Sequence, residues 1–146
     1  MAFSLKKILE EIKVQKPITL FVDGSGTGIK KDDKNVFVVD SKMCSMQANY
    51  FRSSVYPKTG MPKYIERDLR IFYPDHDLDE LIKNVHENAE GAQILGLICL
   101  VEGFLSYAKK EKKNAPIYLE HPEVHLHPNR QSKLADFFIE MYTKYA

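Results

Sequence analysis

The sequence has few cysteines, almost no net charge and no long apolar run. Only two cysteines, Cys44 and Cys99, occur in the 146 residues, and they form no CxxC pattern. Disulfide frameworks and thiolate metal sites use more closely spaced cysteines, so we expect neither of them, and a reducing cytoplasm is the expected location. The formal net charge of +1 gives no electrostatic reason to expect nucleic acid or an anionic membrane as a partner.

Segments for secretion or membrane insertion are not indicated. The opening residues MAFSLKKILEEIK lack the unbroken apolar stretch of a signal peptide. The longest apolar stretch, around Ile94–Val101, is shorter than the about 20 residues that span a bilayer. With 44% hydrophobic and 28% charged residues, the chain has the composition of a soluble globular domain. We therefore expect one domain over 1–146.

The glycine-rich segment Gly24–Gly28 fits neither of the common phosphate-binding patterns. A P-loop reads G-x-x-x-x-G-K-[ST], so that successive backbone N–H groups surround the phosphates. Counted from Gly24, Ile29 stands where the second glycine is needed, and Lys31 stands where Ser or Thr is needed. The dinucleotide pattern G-x-G-x-x-G also fails at Ile29. The segment is therefore predicted to be a flexible turn, and we find no Walker A motif.

The N-terminal part, 1–85, predicts mixed α and β structure without a recognisable motif. Apolar residues at helical spacing predict an amphipathic helix over 3–13. Two β-rich runs, Ile18–Val22 and Val36–Val39, predict strands joined as a hairpin or by a longer connection. Residues 43–75 show no clean period, and we expect irregular structure with short helical or extended pieces there.

The C-terminal part, 86–146, has clearer periodicity. Ala92–Lys110 is apolar around most of a helical circumference, which is typical of a buried helix. Ile117–Leu119 is short and apolar, and this favours a buried parallel strand. Residues 129–145 predict an amphipathic helix. Its apolar side would carry Leu134, Phe137, Phe138, Met141 and Tyr142. The order helix, strand, acidic loop, helix indicates an α/β fold.

The segment Glu120–His127, EHPEVHLH, holds two carboxylates and three histidines in eight positions. A zinc site is one reading, because His121 and His125 are spaced i, i+4 and His125 and His127 are spaced i, i+2. These two spacings suit a helix and a strand respectively, and the flanking prolines oppose one regular element. Glu120 offers another reading. It follows the predicted parallel strand, where ligands bind in α/β sheets, and its carboxylate could hold Mg²⁺ beside nucleotide phosphates.

The stretch IYLEHPEVHLHPNRQSKLADFF resembles the Walker B and D-loop region of ATP-binding-cassette (ABC)-type ATPases. The most similar branch is that of the overcoming-lysogenisation-defect nucleases and the structural-maintenance-of-chromosomes ATPases. In that branch an apolar strand is followed by Glu-Glu-Pro-Glu, two variable or apolar positions and Leu-His-Pro. The resemblance covers roughly 86–146. It implies that this part is the C-terminal half of a P-loop NTPase head of the ABC type.

The resemblance also implies roles for individual residues. Glu120 corresponds to the Walker B acid that serves Mg²⁺, and His121 occupies the position of the catalytic Glu. Val124–His127 corresponds to the D-loop, with His125, Leu126 and His127 at the interface between two heads. Upstream, Ala89-Glu90-Gly91-Ala92-Gln93 corresponds to the signature loop. The implied nucleotide-binding residues of that loop are Ala89, Gly91 and Gln93, which would reach the γ-phosphate of ATP held by the opposite head.

Three departures from the family pattern change the expected function. No P-loop is present, His121 replaces the catalytic Glu, and the sequence stops at Ala146, before the strand and switch histidine of the family. We therefore expect an incomplete ABC-type ATPase head that binds Mg-ATP only when a partner chain with a Walker A loop, or a second copy, completes it. Hydrolysis by the isolated chain is expected to be slow or absent. A nuclease or DNA-processing partner is a further implication of the resemblance.

Two alternatives remain open from the sequence. The first is a non-catalytic interaction or regulatory protein with a degenerate ATPase fold, which the loss of the P-loop and the substitution at His121 favour. The second is a metal-binding module that uses Glu120, His121, His125 and His127. No membrane partner is expected in any of these cases.

Overall fold

The computed structural model of the protein describes residues 19–24 and 36–145, in which helices pack against a three-stranded parallel sheet. The strands are β1 (Thr19–Asp23), β2 (Val36–Asp40) and β3 (Ile117–Glu120), in the order β2-β1-β3. Both pairings are parallel. The hairpin left open for the first two strands is therefore wrong, because a hairpin joins antiparallel strands. The predicted helix over 3–13 lies outside the described residues.

The described part of the chain is mostly helical. The α-helices are α1 (Ser41–Tyr50), α2 (Tyr56–Thr59), α3 (Lys63–Phe72), α4 (Leu78–Lys83), α5 (Ala89–Lys110) and α6 (Pro128–Tyr145). A π-helical turn, Phe51–Val55, joins α1 to α2, and a 3-10 turn, Val85–Glu87, precedes α5. The fold is thus mixed α/β with a small parallel sheet, which confirms the coarse fold class predicted from the sequence.

The prediction of irregular structure over 43–75 is wrong, because most of that region is helical. Two of its three prolines lie at helix starts. Pro57 is in the first turn of α2, and Pro62 is the residue before α3. Proline is tolerated there because the first N–H groups of a helix have no intrahelical partner. Ile65, Leu69 and Phe72 then recur at helical spacing along α3 and are buried.

Helix α5 forms the centre of the core. Its fully buried side chains include Ile94, Ile98, Leu100 and Phe104. Helix α1 crosses α5 at Gly96, where an added Cβ would lie 1.8 Å from the carbonyl oxygen of Cys44. Only glycine permits this approach of the two backbones, because any other side chain would overlap the carbonyl group.

Helix α5 is longer than the apolar stretch Ile94–Val101, which from the sequence was expected to be too short to span a bilayer. With 22 residues and an 18-residue window of mean hydropathy 1.5, it is the one helix among the described residues that is long and apolar enough to cross a membrane. However, 78% of its apolar window is buried inside the protein. Packing against the sheet and the neighbouring helices therefore accounts for the apolar composition, as it does for core helices of globular proteins.

The last two elements match the sequence prediction in type but not in burial. Strand β3 is parallel as predicted, yet Tyr118 is 58% and Leu119 46% exposed, so the predicted burial is wrong. In α6, Leu134, Phe137 and Met141 are buried as predicted, whereas Tyr142 is 74% exposed. For β3 the error has a simple cause: the strand lies at the edge of the described sheet, which a periodicity pattern cannot show.

Candidate functional site

Three carboxylates align at the carboxyl-terminal edge of the sheet. Asp23 at the end of β1 is in register with Asp40 on β2 and with Glu120 on β3. Neighbouring strands lie about 4.8 Å apart, so these three backbones form one short row. Asp23 is buried, and Asp40 caps α1 by accepting a 2.9 Å hydrogen bond from the backbone N–H of Met43. Glu120, with a side chain 47% exposed, is the member that solvent reaches.

The turn after β3 is held against the end of β1. The Gly24 N–H donates to the Glu120 carbonyl oxygen at 2.9 Å. A Cβ on Gly24 would lie 2.1 Å from the carbonyl oxygen of His121, so glycine is required at this contact. His121 itself has a left-handed backbone, with φ of 46°. Gly24, which the sequence assigned to a flexible turn, therefore positions the loop that carries the predicted catalytic residue.

The His121 imidazole lies between two carboxylates. Its Nε2 is 3.7 Å from Oε1 of Glu120, and its Nδ1 is 3.6 Å from Oε2 of Glu123. When the imidazole is protonated, both contacts become ion pairs, and when it is neutral, one ring nitrogen can accept a proton. All three side chains are exposed enough for water and salt to weaken these attractions.

The start of α5 carries the predicted signature residues. Asn88 caps the helix, because its Oδ1 accepts a 2.9 Å hydrogen bond from the N–H of Gly91. Ala89 is exposed in the first turn, and Gly91 is buried. A helix N-terminus carries a partial positive charge that favours an anion. The cap already uses one of the N–H groups that an incoming phosphate would need.

Gln93, the third predicted nucleotide-binding residue, faces α1. Its Nε2 donates to the carbonyl oxygen of Ser41 at 2.8 Å and to Oγ of Ser45 at 3.0 Å. These bonds tie the start of α5 to the start of α1. In this arrangement the Gln93 amide holds the two helices together, and it would have to exchange partners to contact a nucleotide.

The predicted D-loop joins the predicted signature loop directly. The His127 N–H donates to Oε2 of Glu90 at 2.5 Å. Leu126 is buried in the core, and its carbonyl oxygen accepts a 2.9 Å hydrogen bond from Nε2 of Gln131. His125 is exposed. The loop after β3 and the start of α5 therefore form one connected surface at the carboxyl edge of the sheet.

Sequence reasoning missed a polar cluster beneath this surface. Arg130 Nε is 3.5 Å from Oε1 of Glu90, and its guanidinium lies 4.3 Å from the ring centroid of Tyr73. The Tyr73 hydroxyl donates to Glu90 at 3.3 Å. Burial, together with the charge of Glu90, raises the pKa of Tyr73 above its ordinary value. No spacing rule indicates this cluster, because its members are far apart in the sequence.

The cavity at this edge is small. It has a volume of about 20 Å³, and its wall includes Gly24, Asp40, Gln93, Pro122 and His125. Such a volume holds about one water molecule. A nucleotide cannot enter it and would have to lie across the outer surface, where a second chain could cover it.

The described residues do not form a complete metal site. Within 19–24 and 36–145, no three His, Cys, Asp or Glu side chains are grouped so that they could hold a metal ion. Mg²⁺ commonly takes one or two carboxylates and fills its octahedral shell with water and phosphate oxygens. A single exposed carboxylate such as Glu120 fits that manner of binding, with nucleotide supplying the phosphate oxygens.

Comparison with known proteins gives no family for this chain. No family model, no curated protein sequence and no solved structure matches it. The resemblance to ABC-type ATPases therefore remains a prediction from the residues of 86–146, and the geometry of the carboxyl edge has to support any function on its own.

Proposed function

We propose that this chain is an incomplete ABC-type ATPase head, which contributes a Walker B-like acid and a signature-like helix start to an Mg-ATP site. A chain that carries a P-loop completes the site. The observation that supports this most is the position of Glu120. It is the exposed carboxylate in a row of three at the carboxyl edge of a parallel sheet, the edge at which α/β folds bind their ligands.

Glu120 serves Mg²⁺ in this proposal. The strand end holds its backbone through the hydrogen bond from Gly24, so the carboxylate projects from a fixed point. Mg²⁺ bound there neutralises charge on the β- and γ-phosphates. The first turn of α5 offers the partial positive charge of a helix start to an anion on the same surface.

The need for a partner follows from what the described surface offers. The cavity of about 20 Å³ cannot enclose a nucleotide. No P-loop is present in the sequence, so no cradle of backbone N–H groups surrounds the β-phosphate. The site formed by this chain alone is therefore half of a site, and its affinity for Mg-ATP is weak.

A second candidate function is a non-catalytic interaction or regulatory protein with the same fold. The observation that favours it is the contact of His121 with Glu120 and Glu123. A protonated imidazole at that position competes with Mg²⁺ for the Glu120 carboxylate. Substituting His121→Glu removes this competition and restores the acid of the family pattern. The two candidates therefore differ in whether Mg²⁺ binding at Glu120 strengthens in that variant.

The test is a titration of the full chain with Mg-ATP, followed residue by residue through ¹⁵N amide chemical shifts. If the chain forms only half of the site, it should bind Mg-ATP weakly, with a Kd of about 1 mM or more. The shifts should concentrate at Glu120, His121 and Gly91. Glu120→Gln should abolish the Mg²⁺ dependence, whereas the matched control Glu123→Gln should retain it.

Two outcomes would contradict the proposal. Tight, saturable binding lost in Glu120→Gln would mean that the chain forms a whole site, so the claim that it is incomplete would be wrong. Shifts that are absent from the carboxyl edge, in the wild type and in His121→Glu alike, would favour the non-catalytic interaction protein instead.

A further inference from the structure

We propose that two copies of this chain associate through the open edge of β3, in antiparallel orientation, with a two-fold axis at Tyr118. The three-stranded sheet of each copy then continues into the other. This dimer involves only β3 and its flanking residues, so it can form whether or not the nucleotide chemistry proposed above is correct. A P-loop chain that added a strand along β3 would have to displace the second copy.

The hydrogen bonding of β3 shows which of its backbone groups face outward. Toward β1, the carbonyl oxygens of Pro116 and Glu120 accept 2.9 Å bonds from Leu20 and Gly24. Backbone groups alternate in direction along a strand. The carbonyl groups of Pro116, Tyr118 and Glu120 therefore point to β1, as do the N–H groups of Tyr118 and Glu120. Ile117 and Leu119 direct their N–H and C=O groups to the opposite edge, which no described strand covers. Such an edge is a template for pairing with another chain.

The outward groups define one register. In an antiparallel ladder, directly opposed residues exchange both hydrogen bonds. Ile117 therefore pairs with Leu119 of the second copy, and Leu119 pairs with Ile117 of the second copy. Tyr118 then faces Tyr118 of the second copy as a non-hydrogen-bonded pair, with Cα atoms about 4.5 Å apart. The two 58% exposed rings would cover each other across the axis.

The side chains fit this register. Ile117 and Leu119 are in register with Leu20 and Val22, so they share the core-facing side of the sheet. Leu119 of the second copy would lie on that side, next to Ile117. Ile117 there borders an open pocket of about 470 Å³, whose wall also includes Leu105 and Met141. The 46% exposed Leu119 side chain of each copy would thus lie against the apolar part of this pocket in the other, whose wall also includes Lys109, Lys113 and Asn114.

The charges favour a second copy over other occupants, and the antiparallel orientation over the parallel one. The basic run 109–113 precedes β3, and the acids Glu120 and Glu123 follow it. Antiparallel pairing brings the basic end of each copy to the acidic end of the other. The paired ladder is limited to 116–120, because 121–126 form a turn, so Lys113 and Glu123 lie just beyond it, at the basic and acidic ends that meet. Parallel pairing of two copies would instead place like charges together, which is destabilising.

The first experiment is disulfide trapping with Tyr118→Cys. Opposed non-hydrogen-bonded positions have a Cα separation that suits a disulfide. The native Cys44 and Cys99 are buried, so they do not compete for the cross-link. We expect Tyr118→Cys to form a covalent dimer under mild oxidation. The control Ser106→Cys, an exposed position on α5, should remain monomeric. Equal cross-linking of both variants, or of neither, would overturn the proposal.

The second experiment tests the antiparallel orientation by charge reversal, using sedimentation velocity over a range of protein concentrations. Wild-type protein should dimerise as its concentration rises, and Leu119→Lys should abolish this while circular dichroism shows the fold retained. Lys113→Glu and Glu123→Lys should each weaken the dimer at least several-fold, because each puts like charges at the ends that meet, and the double variant should recover it. Lys83→Glu, at an exposed position on α4, serves as the control. A wild type that stays monomeric, or a double variant weaker than either single one, would refute the antiparallel pairing.

Discussion

A buried pair of carboxyl groups makes the stability of this protein depend on pH. Asp68 on α3 is fully buried, and Glu102 on α5 is 2% exposed. Burial, followed by the hydrogen bond and the negative charge of Glu102, raises the pKa of Asp68 to about 8. Burial alone would raise the pKa of Glu102. Hydrogen bonds with Asp68, Tyr145 and Lys144 outweigh burial and hold that pKa below its ordinary value. At neutral pH the pair therefore shares one proton, carried by Asp68.

The surrounding groups explain which acid loses its proton first. The Lys144 ammonium lies 3.0 Å from Glu102, and the Arg67 guanidinium lies 3.3 Å from it. The Tyr145 hydroxyl also donates to Glu102. Asp68 has only a 3.4 Å contact with Arg67. Most of the positive charge is thus directed at Glu102, which ionises and leaves Asp68 neutral.

The sign of the pH dependence follows from these two shifts. Asp68 keeps its proton in the folded protein up to about pH 8 but loses it near 3.8 when unfolded. Its contribution to stability is therefore complete below the unfolded pKa and declines as the pH rises through the folded one. Glu102 acts in the opposite sense: its contribution to stability is complete above its ordinary pKa of 4.5 and is lost as the pH falls below that value. From about pH 6 to pH 8 the unfolding free energy should fall by about 1 kcal/mol per pH unit because of Asp68.

The variant Asp68→Asn tests this reasoning. Its amide can still donate a hydrogen bond to Glu102, but it cannot ionise. Urea unfolding followed by circular dichroism should show that the stability of the variant relative to wild type increases by about 2–3 kcal/mol between pH 6 and pH 8. Contributions from other titrating groups cancel in the difference. Asp136→Asn, an exposed carboxylate on α6, should keep the wild-type slope. Parallel pH curves for Asp68→Asn and wild type would refute the shared proton.

Two further substitutions test the packing and the capping of α5 by the same unfolding measurement. Gly96→Ala should destabilise the protein by about 3 kcal/mol, because its Cβ would overlap the Cys44 carbonyl group. Ser106→Ala, at an exposed position of α5, should change the stability by less than about 0.5 kcal/mol, and a similar loss in both would contradict the close crossing. Asn88→Ala should cost about 1 kcal/mol through loss of the cap on Gly91, and an unchanged midpoint would show that the cap contributes nothing.

Sequence patterns predicted the long regular elements but not the helices over 43–75. The segment Ala92–Lys110, apolar around most of a helical circumference, indicated α5, and helical spacing in 129–145 indicated α6. Over 43–75 no clean period is visible in the sequence, and Pro57 and Pro62 lie where helices start. The distinction between a proline that ends a helix and one that begins the next depends on the backbone on both sides, which a single-residue rule does not contain.

Some features of the candidate site depend on neighbouring residues in the sequence, and others depend on tertiary contacts. Glu120 and His121 could be named from the sequence, because strand, acid and turn are consecutive. Gly24 and Glu90 could not be assigned their contacts. Gly24 meets His121 only because β1 and β3 are neighbours, and Glu90 reaches His127 only because α5 begins beside the loop. Contacts between segments far apart in sequence are set by the packing of the core.

The identity of residue 121 bears on the Mg-ATP site proposed above. The side chain there lies within 3.7 Å of Glu120 and 3.6 Å of Glu123. A glutamate at this position would add a third negative charge to the group, and like charges at that separation repel each other unless a cation is bound. A histidine avoids this repulsion in the absence of metal and nucleotide. In the proposed Mg-ATP site, His121 would let the loop keep its conformation before Mg-ATP and a partner bind, and it would weaken the hold of Glu120 on the metal afterwards.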